Sequence, residues 1–444
     1  MSHYKPYPKY KDSGVEWIGD VPEGWEVERL RHISEFKNSS VDKKTYEGQA
    51  AVGLCNYTDV YYNEFITKDL PFMQATASPA EIEQFSLQKG DVIITKDSED
   101  PSDIGIPALV ADDVLGVVCG YHLTQIRTGD LNTARLIHRT MQSHVTQAYF
   151  FVEAPGITRY GLGQDTIGSV TICLPPLNHR GSVANWIDRE TARIDAIIAK
   201  KTRFIELLKE KRSALITHAV TKGINPNVKM KDSGVEWIGE VPEHWTVCRL
   251  KHVARAIIGL TYSPEDVVDS KAGILVLRSS NIQNGLLDLS DTVRVDCDVP
   301  NDLYVCSGDI LLCSRNGSRA LIGKNIQLDT TTKGATFGAF MTIIRGQLND
   351  FLYYVFNSTM FESQSALYMT STVNQLTISV LDNMEVVIPP EKEMNKIVEE
   401  MRIVLLRVDL LSKKTQHSID LLKERRSALI TAAVTGQIDL RESA

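Results

Sequence analysis

Two polar runs in the second half of the chain carry side chains of the types that can contact nucleic-acid bases. Arg278, Ser279, Ser280 and Asn281 continue through Gln283 and Asn284, and Arg315, Asn316, Ser318 and Arg319 lie in a Ser-Arg-Asn-Gly-Ser-Arg stretch at 314–319. Arginine can bridge guanine O6 and N7, and Asn or Gln can bridge adenine N6 and N7, in the major groove. The first half offers a less basic version, with Asn56 and Tyr57 in one loop (55–59) and Lys96 and Ser98 in another (96–99). Serine, asparagine and glycine also build ordinary solvated turns. Composition alone leaves both readings open for each residue.

Residues for catalysis are not assembled in any recognisable spacing. An adenine methyltransferase needs Asn or Asp before a Pro-Pro-aromatic motif, but Leu174 and Ile388 precede the two Pro-Pro pairs. The stretch from Gly317 to Gly323 and Lys324 has one residue too many for a phosphate-binding loop, and Asn325 stands where Ser or Thr belongs. Ten histidines are scattered without metal spacing, and the seven cysteines contain no CxxC pair. The expectation is a protein without catalysis, metal or cofactor of its own. Free thiols point to a reducing, cytoplasmic setting. The polar, Pro/Tyr-rich first ten residues do not read as a secretory signal, and no apolar run reaches membrane-spanning length. A net charge of -8 argues against binding nucleic acid by bulk charge, so any DNA contact must come from local loops.

The elements that must position these loops are written twice. Residues 11–32 and 231–252 are identical at 17 of 22 positions, and residues 207–224 and 421–438 at 14 of 18. Weaker echoes lie between: Gly90-Asp91 answers Gly308-Asp309, Gly120–Arg127 answers Gly338–Arg345, and Pro175-Pro176 answers Pro389-Pro390. Near-identity is expected where both halves need one geometry or one partner, and divergence where two copies of a fold meet different targets. The four tryptophans Trp17, Trp25, Trp237 and Trp245 and the repeated Arg-Ser-Ala-Leu-Ile-Thr (212–217 and 426–431) are candidates either for docking or for the core.

Short β-rich runs at 92–95, 109–110, 117–118, 274–277, 310–312 and 341–344 predict strands. Helical stretches are predicted at 135–151 and 351–367, making each divergent block α+β. Residues 178–216 and 392–430 show heptad-like spacing. The expected seams are Val183, Ile187, Glu190, Ile194, Ile197, Lys201, Phe204 and Leu208 in the first, and Ile397, Met401, Val404, Val408, Leu411, Thr415, Ser418 and Leu422 in the second. Each helix would run roughly 60 Å at 1.5 Å per residue. The simplest packing sets the two against each other, antiparallel, with the two α/β domains related by a pseudo-two-fold axis.

Taken together, the paired opening motifs, the Gly-Asp strand motifs, the Pro-Pro-then-helix junctions and the repeated helix ends resemble the specificity subunit of type I restriction–modification systems. The resemblance spans essentially the whole chain. It implies target recognition domains at 1–175 and 223–388, and conserved helices at 176–222 and 389–444. It implies that each domain reads half of a bipartite, asymmetric double-stranded DNA site, with the coiled coil setting the gap. Two methyltransferase subunits and motor–nuclease subunits would be the partners, supplying S-adenosylmethionine, ATP and Mg. The resemblance further suggests aligning Gln164 with Gln375 across a gap. The alternative is a coiled-coil scaffold that binds proteins and no DNA.

Overall fold

A computed structural model describes residues 5–269, 272–283, 285–368 and 374–440. The chain forms two compact units. Unit 1 comprises residues 1–202 and 417–444, and unit 2 comprises residues 203–416. All six predicted strands are present, at Val92–Thr95, Pro107–Val110, Val117–Cys119, Ile274–Leu277, Ile310–Cys313 and Met341–Arg345.

In unit 1 the central sheet runs in the order 35–38, 123–127, 92–95, 107–110, 65–66. Its pairs are antiparallel except the last. Unit 2 repeats the scheme with strands in the order 255–258, 341–345, 310–313, 325–327, all antiparallel. The Gly-Asp motif feeds the central strand of each sheet. Gly90 and Gly308 take left-handed φ values of 94° and 88°, which a glycine adopts without Cβ strain. The aspartate after each is buried and gripped at both oxygens by the arginine that ends the neighbouring strand. Arg127 Nε and Nη2 reach Asp91 at 2.7 Å each, and Arg345 Nε and Nη2 reach Asp309 at 2.9 and 2.7 Å. This clamp explains why glycine, aspartate and arginine recur while the residues between them diverge.

Each predicted domain helix is broken in two by a serine. The observed helices are Leu131–Met141 and His144–Glu153, then Asn349–Phe356 and Thr359–Tyr368. Ser143 Oγ accepts from Thr146 N, and Ser358 Oγ from Phe361 N, so each serine starts a new helix instead of continuing the old one.

The two long helices are α1 (Leu177–Lys222) and α2 (Glu391–Val434). They end beside Gly223 and Gly436, both left-handed at φ 75° and 70°. Unit 1 contains the first half of α1 and the second half of α2. Unit 2 contains the other halves. Arg426 Nε meets Asp195 at 2.9 Å in unit 1, and Arg212 Nε meets Asp409 at 3.4 Å in unit 2.

The seam differs from expectation at every second position. Thr191, Leu405 and Ile419 are buried and Ile198, Ile205 and Ser412 half-buried, while Ile197, Phe204 and Leu411 are exposed. The starting residues Val183 and Ile397 hold, as do the positions seven apart (Ile187, Ile194, Lys201, Leu208; Met401, Val408, Thr415, Leu422). Each intermediate residue instead sits one place later, so the step runs four-then-three where three-then-four was expected. Apolar residues at both 197 and 198, and at both 404 and 405, made the alternatives equal in the sequence.

The repeated helix ends turn inward. Ile216, Ala219 and Val220 enter the core of unit 2, and Ile430, Ala433 and Val434 that of unit 1. Truncating such an isoleucine to alanine costs about 2–5 kcal/mol. Thr217 Oγ1 accepts from Thr359 N at 2.9 Å, and Thr431 Oγ1 from His144 N at 3.0 Å. Each threonine thereby satisfies an orphan N–H at the start of a domain helix. Of the opening motifs' tryptophans, Trp245 is buried in the core of unit 2 and Trp25 in a smaller cluster with Tyr7, Val21 and Cys173, whereas Trp17 and Trp237 face outward. Cores within the chain account for most of the repetition.

Candidate nucleic-acid interface

In unit 2 the two polar loops meet. Asn316 Nδ2 lies 3.4 Å from Ser279 Oγ, joining the loop after Ile274–Leu277 to the loop after Ile310–Cys313. Asn281 is fully buried. Its Nδ2 donates to the carbonyls of Asp288 and Asp291, and its Oδ1 accepts from Arg278 N, so its polar atoms hold the loop together. Arg278 Nη2 pairs with Asp291 at 2.9 Å. Arg315, Ser318 and Arg319 are exposed, and the Arg315 guanidinium sits over the Phe340 ring, 5.2 Å from its centroid. Ser318 N donates to Asn316 Oδ1, shaping the turn that presents Arg319. Asn284 lies outside the described residues.

The corresponding surface of unit 1 is an open cleft of about 500 Å³. Its walls include Tyr57, Tyr61, Asp97, Ser98, His122 and Arg159. Asn56 closes a capping box with Asp59 at the start of the helix carrying these tyrosines. Tyr61 donates to Asp103 at 2.5 Å, and this bond pushes its hydroxyl pKa up to about 12. Lys96 Nζ and His122 Nδ1 both reach Asp97 Oδ2 at 2.8 Å. Burial raises the Asp97 pKa, but the bonds from Lys96 and His122 outweigh it, and the carboxyl is held below its ordinary value. Ser98 follows in a short strand paired with Tyr160–Gly161.

That pairing revises one alignment. Gly161 opposes Asp97, and Gln375 opposes Arg315; one residue on, Leu162 N donates to Lys96 O and Leu376 N to Ser314 O, each at 2.8 Å. Gln375 therefore occupies the place of Gly161, and Gln164 instead begins a short helix. The length change lies upstream of this segment, among helices whose lengths differ between the units.

Sequence reasoning passed over His122, Arg159 and Phe340. The signal for two of them was present, because His122 and Phe340 stand at the same position after the repeated glycines Gly120 and Gly338. Among the described residues, no three His, Cys, Asp or Glu side chains group as a metal site, and no helix is long and apolar enough to cross a membrane. Burial pushes the Cys55 and Cys119 thiols up.

Two α/β units of one design present unlike polar loops at equivalent strand ends. Residues 242–419 match the family described as the type I restriction modification DNA specificity domain. Over those residues the chain is similar to type I restriction–modification specificity subunits. It is 26% identical over 207 residues to the EcoKI specificity subunit of Escherichia coli strain K12, covering 45% of this chain and 44% of that protein. The same figures hold for the StySPI specificity subunit of Salmonella potsdam. The MjaVIII specificity subunit of Methanocaldococcus jannaschii is 22% identical over 284 residues, 62% of this chain and 63% of that protein. The matches thus span less than half the length of the first two relatives. A solved structure concerning complex assembly and conformational transition of the type I R-M system is similar in fold, with a TM-score of 0.69 at 16% identity, covering 94% of this chain and 99% of that one.

Proposed function

We propose that this chain is the non-catalytic, DNA-reading subunit of a type I restriction–modification complex. Each unit reads one half of a bipartite, asymmetric duplex site. The α1–α2 pair sets the unread gap, with half-site centres about one helical turn, or roughly 10 base pairs, apart. Two methyltransferase subunits bring S-adenosylmethionine and methylate an adenine in each half after flipping it from the stack. Motor–nuclease subunits bring ATP and Mg for cleavage.

The observation that carries this reading is the conserved Gly-Asp–Arg scaffold in both units, with loops of different chemistry at equivalent strand ends. One scaffold with two loop sets suits two different half-sites. A second observation supports the docking of partners. Phe204, Leu207, Ile403, Leu406 and Leu410 are each exposed on the helices of unit 2, apolar side chains suited to protein contact.

Single-molecule methylation mapping in cells expressing the cognate methyltransferase, with and without this gene, tests the proposal. The expected result is a bipartite adenine-methylated motif that disappears on deletion. Exchanging residues 20–170 for those of a relative should change one half of the motif alone. An unchanged methylome, with the methyltransferase shown to be active, would favour the protein scaffold that binds no DNA.

A further inference from the structure

The equivalent loops place opposite chemistry at one backbone site. Two residues beyond the central strand of each sheet stand Asp97 in unit 1 and Arg315 in unit 2. The residue directly before the neighbouring strand is His122 in one and Phe340 in the other. The backbone around both sites agrees: Lys96 N donates to His122 O at 3.0 Å, and Ser314 N to Phe340 O at 3.1 Å. The third strand-like segment also agrees, with Gly161 opposite Asp97 and Gln375 opposite Arg315. The side chains alone differ. In unit 2 a guanidinium is steadied on an aromatic face. In unit 1 a carboxylate is steadied by an imidazole.

We propose that this position is a base-reading site in both units, Arg315 reading guanine and Asp97 reading the amino group of cytosine, with Phe340 and His122 as positioning residues. The assignment rests on the DNA-reading function proposed above. Arg315 presents donors to the paired acceptors O6 and N7 of guanine. Stacking on Phe340 restricts a long side chain before binding, lowering the entropy lost on contact. Asp97 presents only acceptors. Lys96 and His122 both bond Oδ2, and an ideal Cβ at Gly161 would stand 3.4 Å from Oδ1, so glycine keeps that side uncrowded. A carboxylate accepts from cytosine N4 but meets O6 and N7 of guanine, O4 of thymine, or N7 beside the amino group of adenine. Cytosine is the base whose major-groove edge offers a donor without a neighbouring acceptor.

The test is methylation mapping of the full chain with its methyltransferase, comparing the wild type with Arg315→Gln, Asp97→Asn, Phe340→Leu and Phe340→Tyr. The wild-type motif should contain a G·C pair in each half. Arg315→Gln should erode guanine preference at one position of one half by about 10- to 100-fold and shift it towards adenine. Asp97→Asn should do the same to cytosine in the other half. Phe340→Leu should broaden the position that Arg315→Gln affects, while Phe340→Tyr should preserve it. The unaffected half reports folding and assembly in the same sample, and the near-isosteric Asp97→Asn is informative even where an Arg315 variant assembles poorly. A bipartite motif unaltered by Arg315→Gln and Asp97→Asn, or altered by both in the same half, would overturn this assignment and leave the DNA-reading function standing. A wild-type chain that directs no bipartite motif would overturn that function itself.

Discussion

Replacing Arg345 with methionine should cost unit 2 more stability than the matching change at Arg127 costs unit 1. Asp309 is 2% exposed and has three donors: Arg345 Nε at 2.9 Å, Arg345 Nη2 at 2.7 Å and Cys306 N at 2.7 Å. Arg345→Met leaves a buried carboxylate with one backbone partner, a loss of about 3–5 kcal/mol. Asp91 is equally buried, but besides Arg127 it accepts from Gln125 Nε2 at 2.7 Å and Gln88 N at 2.8 Å. In unit 2 Ile343 takes the strand position of Gln125, since both lie two residues before the clamp arginine. One retained bond to a charged group is worth about 1.5–3 kcal/mol, so Arg127→Met should be milder by that amount. Two units need not unfold together, and a single melting midpoint would blur the comparison. Native-state hydrogen exchange separates them, with peptides over 92–95 reporting unit 1 and peptides over 310–313 reporting unit 2. Equal losses of protection, or a larger loss for Arg127→Met, would refute the claim that counting donors at the buried aspartate governs the cost.

Acid should weaken unit 1 selectively through His138. Its ring is buried, and burial first, then Arg139 and Arg426, holds its pKa well below the ordinary histidine value against an opposing bond to the Pro107 carbonyl. Below about pH 6.5 the unfolded chain takes up a proton that the folded one refuses, so stability falls as the pH drops, with a slope of at most about 1.4 kcal/mol per pH unit. No histidine among the described residues of unit 2 is buried, so exchange in its peptides should lack this dependence, and His138→Phe should flatten the profile of unit 1. Along α1, Ile198→Ala should destabilise by about 2–4 kcal/mol and Ile197→Ala by less than about 0.5 kcal/mol, measured in the same way. The reverse order would restore the seam expected from the sequence.

The features legible in the sequence were those that one half could check against the other. A glycine, aspartate and arginine kept at Gly90, Asp91 and Arg127 and again at Gly308, Asp309 and Arg345 marked strands and a turn, because those residues answer to backbone geometry and a buried charge, which do not change with the target. The helix seam failed for a local reason: with Ile197 beside Ile198, and Val404 beside Leu405, either neighbour satisfies a heptad, and only the partner helix decides. Long helices were visible, but their ends were not, since the repeated tails at 212–222 and 426–434 bury themselves in cores built from residues far away in the chain.

The base-reading candidates were hardest for the converse reason. Polarity identified the loops but could not separate Asn281, whose hydrogen bonds are internal, from Arg315, whose guanidinium is exposed. That distinction depends on what lies across the sheet, and the residues that lie across it, His122 and Phe340, are not polar-loop residues at all. They were recoverable only by asking what differs at positions the scaffold holds equivalent. In a duplicated protein the repeated residues report how the fold is built. The substitutions made at a shared backbone site, Asp97 for Arg315 and His122 for Phe340, mark where the two copies differ in chemistry while the backbone agrees.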